Sequence, residues 1–284
     1  MTSILVIGKT GLLGQAIARH ATRKGYDVIT PSHTELDITS IPSIHRMLFD
    51  ACPHIVVNCA AFNGMIKCEK NPEQAIISNG FAIDSLAREC SSLGIKFVTF
   101  STNYVFDGKK GDYIESDRTH PLQAYGYSKL IGEMCALKYS NSAVIRTSML
   151  FGLDSSSRDS FIDRVLNQAN KRDGDVSVWK NMIANLTYAE DLAEAVIRLV
   201  EQKEKVSGIY HLVNEKPQNL LEFTEYLLNF LAIKGVKVLG TEVTDSIPRP
   251  LKSNLLNIRA KEIGIELPPI GDAVERYLKA KGLI

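Results

Sequence analysis

Along the first half of the chain, short unbroken apolar runs alternate with longer stretches in which apolar positions recur every three or four residues. Runs of that length bounded by turn residues read as buried strands, and the longer periodic stretches as amphipathic helices. The runs predict strands over 3–7 (SILVI), 27–30, 54–58 (HIVVN), 96–101 and 142–147 (SAVIRT). The periodic stretches predict helices over 12–22, over 41–51 with Pro42 near its first turn, over 72–92 with Asn79 in its middle, and over 122–136. Strands alternating with helices predict an α/β fold, a doubly wound parallel sheet with right-handed crossovers. Such sheets bind ligands at the C-terminal ends of their strands.

Beyond Phe151 the rhythm weakens. The pattern there predicts a polar loop over 155–159, a helix over 161–171, short strands over 176–179, 208–213 and 236–239, and a helix over 219–234. Thr187 followed by Glu190 reads as a capping box opening another helix. A Pro-containing segment over 246–253 leads to a last helix ending near Lys281. No internal repeat or low-complexity linker interrupts the chain.

The first apolar run leads directly into Gly8, Gly11 and Gly14 of GKTGLLG, and then into a helix. A strand, a Gly-rich turn and a helix make a dinucleotide-binding opening. Glycines let the backbone approach a pyrophosphate, and the helix N-terminus offers N–H groups and a positive dipole end. Gly8, Lys9, Thr10, Gly11, Leu12, Leu13 and Gly14 are therefore candidate cofactor contacts. The spacing is G-x-x-G-x-x-G, and the plain alternative is a tight turn with close helix packing. An acid at the end of the second strand would bind the ribose 2′-OH of NAD. Here Pro31, Ser32 and His33 hold those positions, with no carboxylate before Glu35. Lys9 could reach a 2′-phosphate or stand as a solvated loop lysine. The pattern favours NADPH, with NADH as the alternative. The third strand ends in Asn58, Cys59, Ala60 and Ala61, small residues suited either to a cofactor or to core packing. A mid-helix Asn such as Asn79 is unfavourable unless something uses its side chain. Asn79 is thus either a site residue or a surface one.

The hydroxyls of Ser101 and Thr102 stand at a strand end, and Tyr125 and Lys129, four residues apart, share one helix face. A Lys ammonium there would favour the tyrosinate and draw the Tyr pKa below its ordinary value of about 10. Such a Tyr can pass a proton to or from a carbonyl oxygen near neutral pH, and Thr102 can hold that same oxygen.

The 284 residues are enough for one large or two smaller domains, and their net charge of +1 sets up no field for a nucleic acid polymer. No stretch is long and apolar enough to span a membrane. The five cysteines are scattered with no C-x-x-C pair, and the six histidines have no metal-ligand spacing. Reduced thiols and no metal site are expected. The first residues lack the layout of a signal peptide, so a cytoplasmic location is expected.

Taken together, GKTGLLG, ELDIT, VNCAAF, KCEKNPEQAIISNG, FSTNYVFDG, YGYSKLIGE, RTSMLFG and the late Arg249-Pro250…Ser253 resemble an extended short-chain dehydrogenase/reductase. More narrowly, they resemble the dTDP-4-dehydrorhamnose reductase family of nucleotide-sugar reductases. The resemblance implies a Rossmann-type domain of residues 1–150 plus about 187–213, and a smaller α/β substrate lobe of about 151–186 and 214–284. It implies Thr102, Tyr125 and Lys129 as the catalytic trio, and Gly8, Gly11 and Gly14 on the pyrophosphate. Asp37 and Ile38 would flank the adenine, and Ala60 and Ala61 the nucleotide. Cys59, Asn79, Ser101, Ser32 and His33 belong to the expected cofactor set, which Tyr125 and Lys129 complete, Lys129 on the nicotinamide ribose. Asn103, Tyr104, Phe106, Ser148 and Met149 would face the sugar, and Arg249 and Ser253 the substrate diphosphate. The family usually has Asp at Asn103, often Trp at Met149, and a Gln/Gly/Pro-rich turn in place of NMIANLT. These departures fall on the substrate side. The implied activity is reduction of a nucleotide-linked 4-keto-6-deoxy sugar by NADPH, as a monomer or homodimer. Its rivals are an epimerase or dehydratase of the same fold and a non-catalytic, NADP-binding regulatory subunit resembling the methionine adenosyltransferase β subunit.

Overall fold

The computed structural model of the chain describes residues 1–153, 160–171, 174–202, 207–243 and 246–284. The loop expected over 155–159 lies outside the described residues. In chain order the strands are β1 (Ser3–Ile7), β2 (Asp27–Ile29), β3 (Ile55–Asn58), β4 (Lys96–Thr102), β5 (Ser142–Thr147) and β6 (Leu150–Phe151). They continue with β7 (Val176–Trp179), β8 (Ile183–Ala184), β9 (Thr187–Tyr188), β10 (Gly208–His211), β11 (Gln218–Asn219) and β12 (Val238–Thr241). The helices are α1 (Leu12–Arg23), α2 (Ile41–Ala51), α3 (Met65–Lys70), α4 (Pro72–Ile76), α5 (Ala82–Ser92) and α6 (Ala124–Ala136). After these come α7 (Phe161–Ala169), α8 (Ala189–Val200), α9 (Leu220–Phe230), α10 (Ile258–Glu262) and α11 (Ile270–Ala280).

Six parallel strands form the central sheet in the order β10-β5-β4-β3-β1-β2. The chain goes to one side of β1 for β2 and to the other for β3, so a crevice opens between the C-terminal ends of β1 and β3. The strands read as unbroken apolar runs because both sheet faces are covered. Successive side chains go to opposite faces. Ile4, Val6, Val57, Val98 and Ile145 join α1 and α8 in one core, and Leu5, Ile7, Val56, Phe97 and Val144 join α2 and α5 in another. A third core gathers Phe151, Ile162, Val165, Val176, Val178, Phe223, Leu227 and Tyr277 from α7, α9, α11 and the short strands around them. Among the described residues no helix is long and apolar enough to cross a membrane.

Two local readings are corrected. The helix over 72–92 is interrupted by a π-helical turn at Ile77–Phe81, which carries Asn79. Thr187 is not an N-cap: it lies in β9, and Tyr188 holds the cap position of α8 without a side-chain bond. Glu190 instead pairs with Arg19 and with His20 (2.9 Å), tying α8 to α1. The short helices α3 and α10 were not legible in the pattern, since each buries a single residue, Cys68 and Ala260.

Candidate active site

The turn after β1 is built on close approach. Gly8 has φ +88°, and a Cβ there would stand 2.8 Å from the Ala60 nitrogen. A Cβ on Gly14 would stand 2.2 Å from the Gly8 carbonyl oxygen, so only glycine lets α1 press onto the turn. Gly11 caps α1 with no side-chain bond, leaving the first-turn N–H groups for a ligand. Asn58 Oδ1 accepts the Ala60 N–H at 3.1 Å and holds the end of β3 beside that turn.

A cleft of about 340 Å³ opens there, lined by Gly11, Leu12, Leu13, Cys59, Ala61, Ser101, Thr102, Asn103, Tyr125, Lys129, Ser148 and Met149. Asn63, Phe100, Thr147, Leu150, Gly152 and Ser160 also line it, and sequence reasoning missed them. Thr147 alone carried a signal, as the last residue of a predicted strand at the ligand-binding edge. The hydroxyls of Ser101, Thr147 and Ser148 are buried without a hydrogen-bond partner among the described residues. Buried polar groups are almost always paired, so three unpaired hydroxyls around one cleft suit a polar ligand. With the Gly-rich cradle, they fit a dinucleotide.

Helix α6 brings the expected trio to this cleft. Its Gln123 cap accepts the Gly126 N–H at 2.6 Å. A Cβ on Gly126 would come within 2.3 Å of the Tyr104 carbonyl oxygen, so glycine lets the helix start against the turn after β4. Tyr125 and Lys129 thereby share the cleft with Thr102. Thr102 Oγ1 accepts the Tyr104 N–H and donates to Asn103 Oδ1, both at 3.2 Å.

The electrostatics differ from the expectation. The Tyr125 phenol is pushed up to about 12, chiefly by burial, with the Cys68 thiol adding and the Thr102 hydroxyl opposing. Burial lowers Lys129 to about 8, opposed by Glu133 first and then by Cys59 and Cys68. Burial therefore outweighs any pull of the ammonium on the phenol. Behind Lys129, Glu133 takes Arg146 Nε at 2.9 Å and Nη2 at 2.7 Å in a buried bidentate pair. Arg146 is thus structural.

Several expected contacts lie elsewhere. Asn79 is 1% exposed, and its side chain is spent on the Phe62 N–H (2.8 Å), the Phe62 carbonyl (3.0 Å) and Ser128 Oγ (3.0 Å). It fixes the loop after β3 against α6. Phe106 is fully buried and stacks on Tyr113 at 4.1 Å, away from any sugar. Ser253 is fully buried and accepts from Asn103 Nδ2 at 2.7 Å, so it does not reach into a cleft for a diphosphate. The Asp37 carboxylate takes the N–H (2.9 Å) and hydroxyl (2.7 Å) of Thr39, and Ile38 packs against the core. Gly8, Gly14 and Ala60 shape the turn from behind. Lys9 and Thr10 in that turn, and Ser32 and His33 in the loop after β2, are not among the residues lining the cleft.

A second cleft of about 760 Å³ continues from the first through Met149, Leu150 and Ser160. Lys67, Lys70, Arg164 and Arg249 line it, with Tyr104, Phe161, Trp179 and Met182, and among the described residues no acidic one does. The Arg249 guanidinium lies 4.4 Å over the Trp179 ring. Of these, only Tyr104, Met149 and Arg249 were legible beforehand.

The family model described as the RmlD substrate binding domain matches residues 1–282. The spore coat polysaccharide biosynthesis protein SpsK of Bacillus subtilis is 33% identical over 99% of this chain and 98% of its own. The methionine adenosyltransferase 2 subunit beta of Xenopus tropicalis is 28% identical over 92% of this chain and 82% of its own. Among solved structures, dTDP-4-dehydrorhamnose reductase from Bacillus anthracis in complex with NADP superposes with a TM-score of 0.91 at 25% identity, covering 99% of each chain.

Proposed function

The chain belongs to the RmlD substrate-binding-domain family, and from that membership we propose that it is a reductase acting with NADPH on the keto group of a nucleotide-linked 4-keto-6-deoxy sugar. The observation that carries this reading is the meeting of Thr102, Tyr125 and Lys129 on the wall of a cleft that opens beside a Gly-rich helix start. The name and NADP content of the Bacillus anthracis structure support it. So does the neighbouring cleft, whose four basic lining residues suit the diphosphate of a nucleotide sugar.

Bound NADPH supplies the hydride. Tyr125 gives its phenolic proton to the sugar's carbonyl oxygen, and Thr102 holds that oxygen. A phenol pushed up to about 12 stays protonated at neutral pH, which suits an acid in the direction of reduction. Lys129, buried beside Glu133, holds a positive charge below about pH 8 and offsets the negative charge left on Tyr125. Gly11 and the first turn of α1 receive the pyrophosphate, and Ser101, Thr147 and Ser148 have hydroxyls to spend on the ligands. Arg249, Lys67 and Lys70 hold the substrate's phosphates, and Trp179 offers a face to its base or sugar.

The test is nicotinamide oxidation followed by absorbance, with dTDP-4-keto-6-deoxy sugars beside GDP-, UDP- and CDP-linked keto sugars. Stoichiometric NADPH oxidation with one of them is expected. The Tyr125→Phe variant should lose about 10²–10⁴ in turnover, as for loss of a positioned general acid. Retention of most turnover in that variant would refute Tyr125 as the acid. Similarity to the methionine adenosyltransferase subunit favours a second reading, a regulatory subunit. It predicts tight NADPH binding without oxidation and copurification with a larger enzyme. An epimerase or dehydratase would regenerate its cofactor, so steady consumption excludes it.

A further inference from the structure

The loop after β2 holds a small anion cradle with one of the chain's own carboxylates in it. The Ser32 N–H and the Ser32 hydroxyl both donate to the same oxygen, Glu35 Oε2, at 2.6 and 2.7 Å. Ser32 Oγ also meets Thr34 Oγ1 at 3.0 Å. The Glu35 carboxyl is held below the usual range by the Ser32 N–H first, then by the Ser32 hydroxyl, with a smaller pull from Lys9. Lys9 arrives from the Gly-rich turn. β1 and β2 run parallel with Leu5 opposite Ile29, so the loops carrying Lys9 and Ser32 leave the sheet side by side. Glu35 is exposed, and no core packing holds its side chain in the cradle. The neighbouring acid, Asp37, is spent on Thr39. Two donors on one oxygen with a cation beside them is the arrangement that receives a phosphate oxygen.

In dinucleotide-binding sheets the end of the second strand meets the 2′ position of the adenosine ribose. We propose that Ser32 and Lys9 form the seat of an adenosine 2′-phosphate, and that Glu35 is its internal competitor, setting the preference between phosphorylated and unphosphorylated dinucleotide. The proposal rests on the dinucleotide reading above. A 2′-phosphate takes the Ser32 donors only when Glu35 swings out, and the displaced carboxylate still repels it nearby. An unphosphorylated ribose leaves Glu35 on Ser32, with its second carboxylate oxygen open to the 2′-hydroxyl.

The test is calorimetric titration of NADP⁺ and NAD⁺, and of the fragments adenosine 2′,5′-bisphosphate and 5′-ADP, with no sugar present. Wild type, Glu35→Ala, Glu35→Gln, Ser32→Ala and Lys9→Met are compared. All three positions lie in the two surface loops, so folded protein is expected throughout and circular dichroism checks it. Glu35→Ala should raise the NADP⁺-to-NAD⁺ affinity ratio about five- to tenfold, the effect of one like charge at contact range in water. The gain should shrink as salt is raised. Glu35→Gln should follow in the same direction, and Ser32→Ala and Lys9→Met should lower the ratio. An unchanged ratio in Glu35→Ala, or a shift towards NAD⁺, overturns the proposal while leaving the dinucleotide reading intact. Failure of the wild type to bind either dinucleotide overturns both.

Discussion

Replacing Glu133 with Gln removes the counter-charge of a guanidinium that has no access to water. Arg146 and Glu133 are 3% and 2% exposed and joined by two short bonds. Arg146 also lies 5.0 Å over the Phe106 ring, with Nη1 3.4 Å from the Glu115 carbonyl and 3.5 Å from His211 Nε2. None of these neighbours replaces the lost carboxylate charge. Breaking a buried pair from one side costs about 3–5 kcal/mol. At about 2–4 °C per kcal/mol for chains of this size, melting should fall by roughly 6–20 °C. The chemistry should move as well. Glu133 is the first of the groups that hold Lys129 up against burial, which sets it at about 8. Without Glu133 the ammonium loses its proton at lower pH, so the alkaline limb of kcat/KM should shift below about pH 8. The sign for stability follows from the same depression. The folded state releases this proton before the unfolded chain does, so stability from Lys129 rises with pH from about 8 towards its unfolded value. The assays are urea unfolding at pH 7 and a kcat/KM pH profile. The double variant Glu133→Leu/Arg146→Met separates the two effects. It should recover much of the stability, since an apolar pair can replace a buried ion pair at little cost. Its alkaline limb should stay shifted. A Glu133→Gln variant that melts like the wild type and keeps its alkaline limb refutes the reasoning.

Asn79→Ala should cost about 1–3 kcal/mol in urea unfolding, because it takes the acceptor from the Phe62 N–H and one bond each from the Phe62 carbonyl and Ser128 Oγ, which keep Cys68 Sγ and the Tyr125 carbonyl; a loss below about 1 kcal/mol would deny Asn79 its role in fixing that loop. His211 is fully buried and pushed down to about 3 by burial and by Arg146, so it folds neutral and its unfolded counterpart takes a proton first as pH falls. Stability from this group is present above about pH 6.5 and is lost below it, by about 2–3 kcal/mol on reaching pH 4.5. His211→Asn should flatten that part of the stability–pH curve, and an unchanged slope would remove His211 as its cause.

The central sheet was legible because its strands are buried on both faces. Ile4 and Val6 serve one core and Leu5 and Ile7 the other, so the run between Ser3 and Gly8 has no polar gap. The Gly-rich turn and the Tyr125–Lys129 spacing were legible because local geometry alone fixes what they do. What failed depends on burial or on long-range return of the chain. Phe106 and Ser253 belong to recognisable motifs, yet nothing in a motif says that Tyr113 and Asn103 would cover them. The π turn adds one residue to a helical ladder without changing the apolar rhythm on either side. Lys67 and Lys70 lie on a helix whose single buried residue gives no period. Trp179 and Arg249 meet only because the 246–253 segment crosses back over the loops, with Lys252 N bonded to the Gly108 carbonyl and Ile183 N to the Leu251 carbonyl.

The inverted pKa of Tyr125 has the same origin. Spacing on a helix guarantees that an ammonium is near a phenol, but the sign of the shift depends on how much water both have lost. In this cleft burial raises the phenol to about 12 and lowers the amine to about 8, so at neutral pH a neutral phenol stands beside an ammonium. The phenol is then protonated and placed to act as the acid that reduction of a carbonyl requires, and the ammonium beside it offsets the charge left when the proton leaves. The two clefts that would bring hydride and carbonyl together share Met149. Its φ of +30° is one a side chain adopts at a cost of about 1–3 kcal/mol, and Thr187 N–H holds its carbonyl at 3.1 Å. The strain sits at the junction where one ligand's reacting atom must reach the other's. The loop from β5 to β6 therefore trades backbone ease for a continuous path between the trio and the basic cleft.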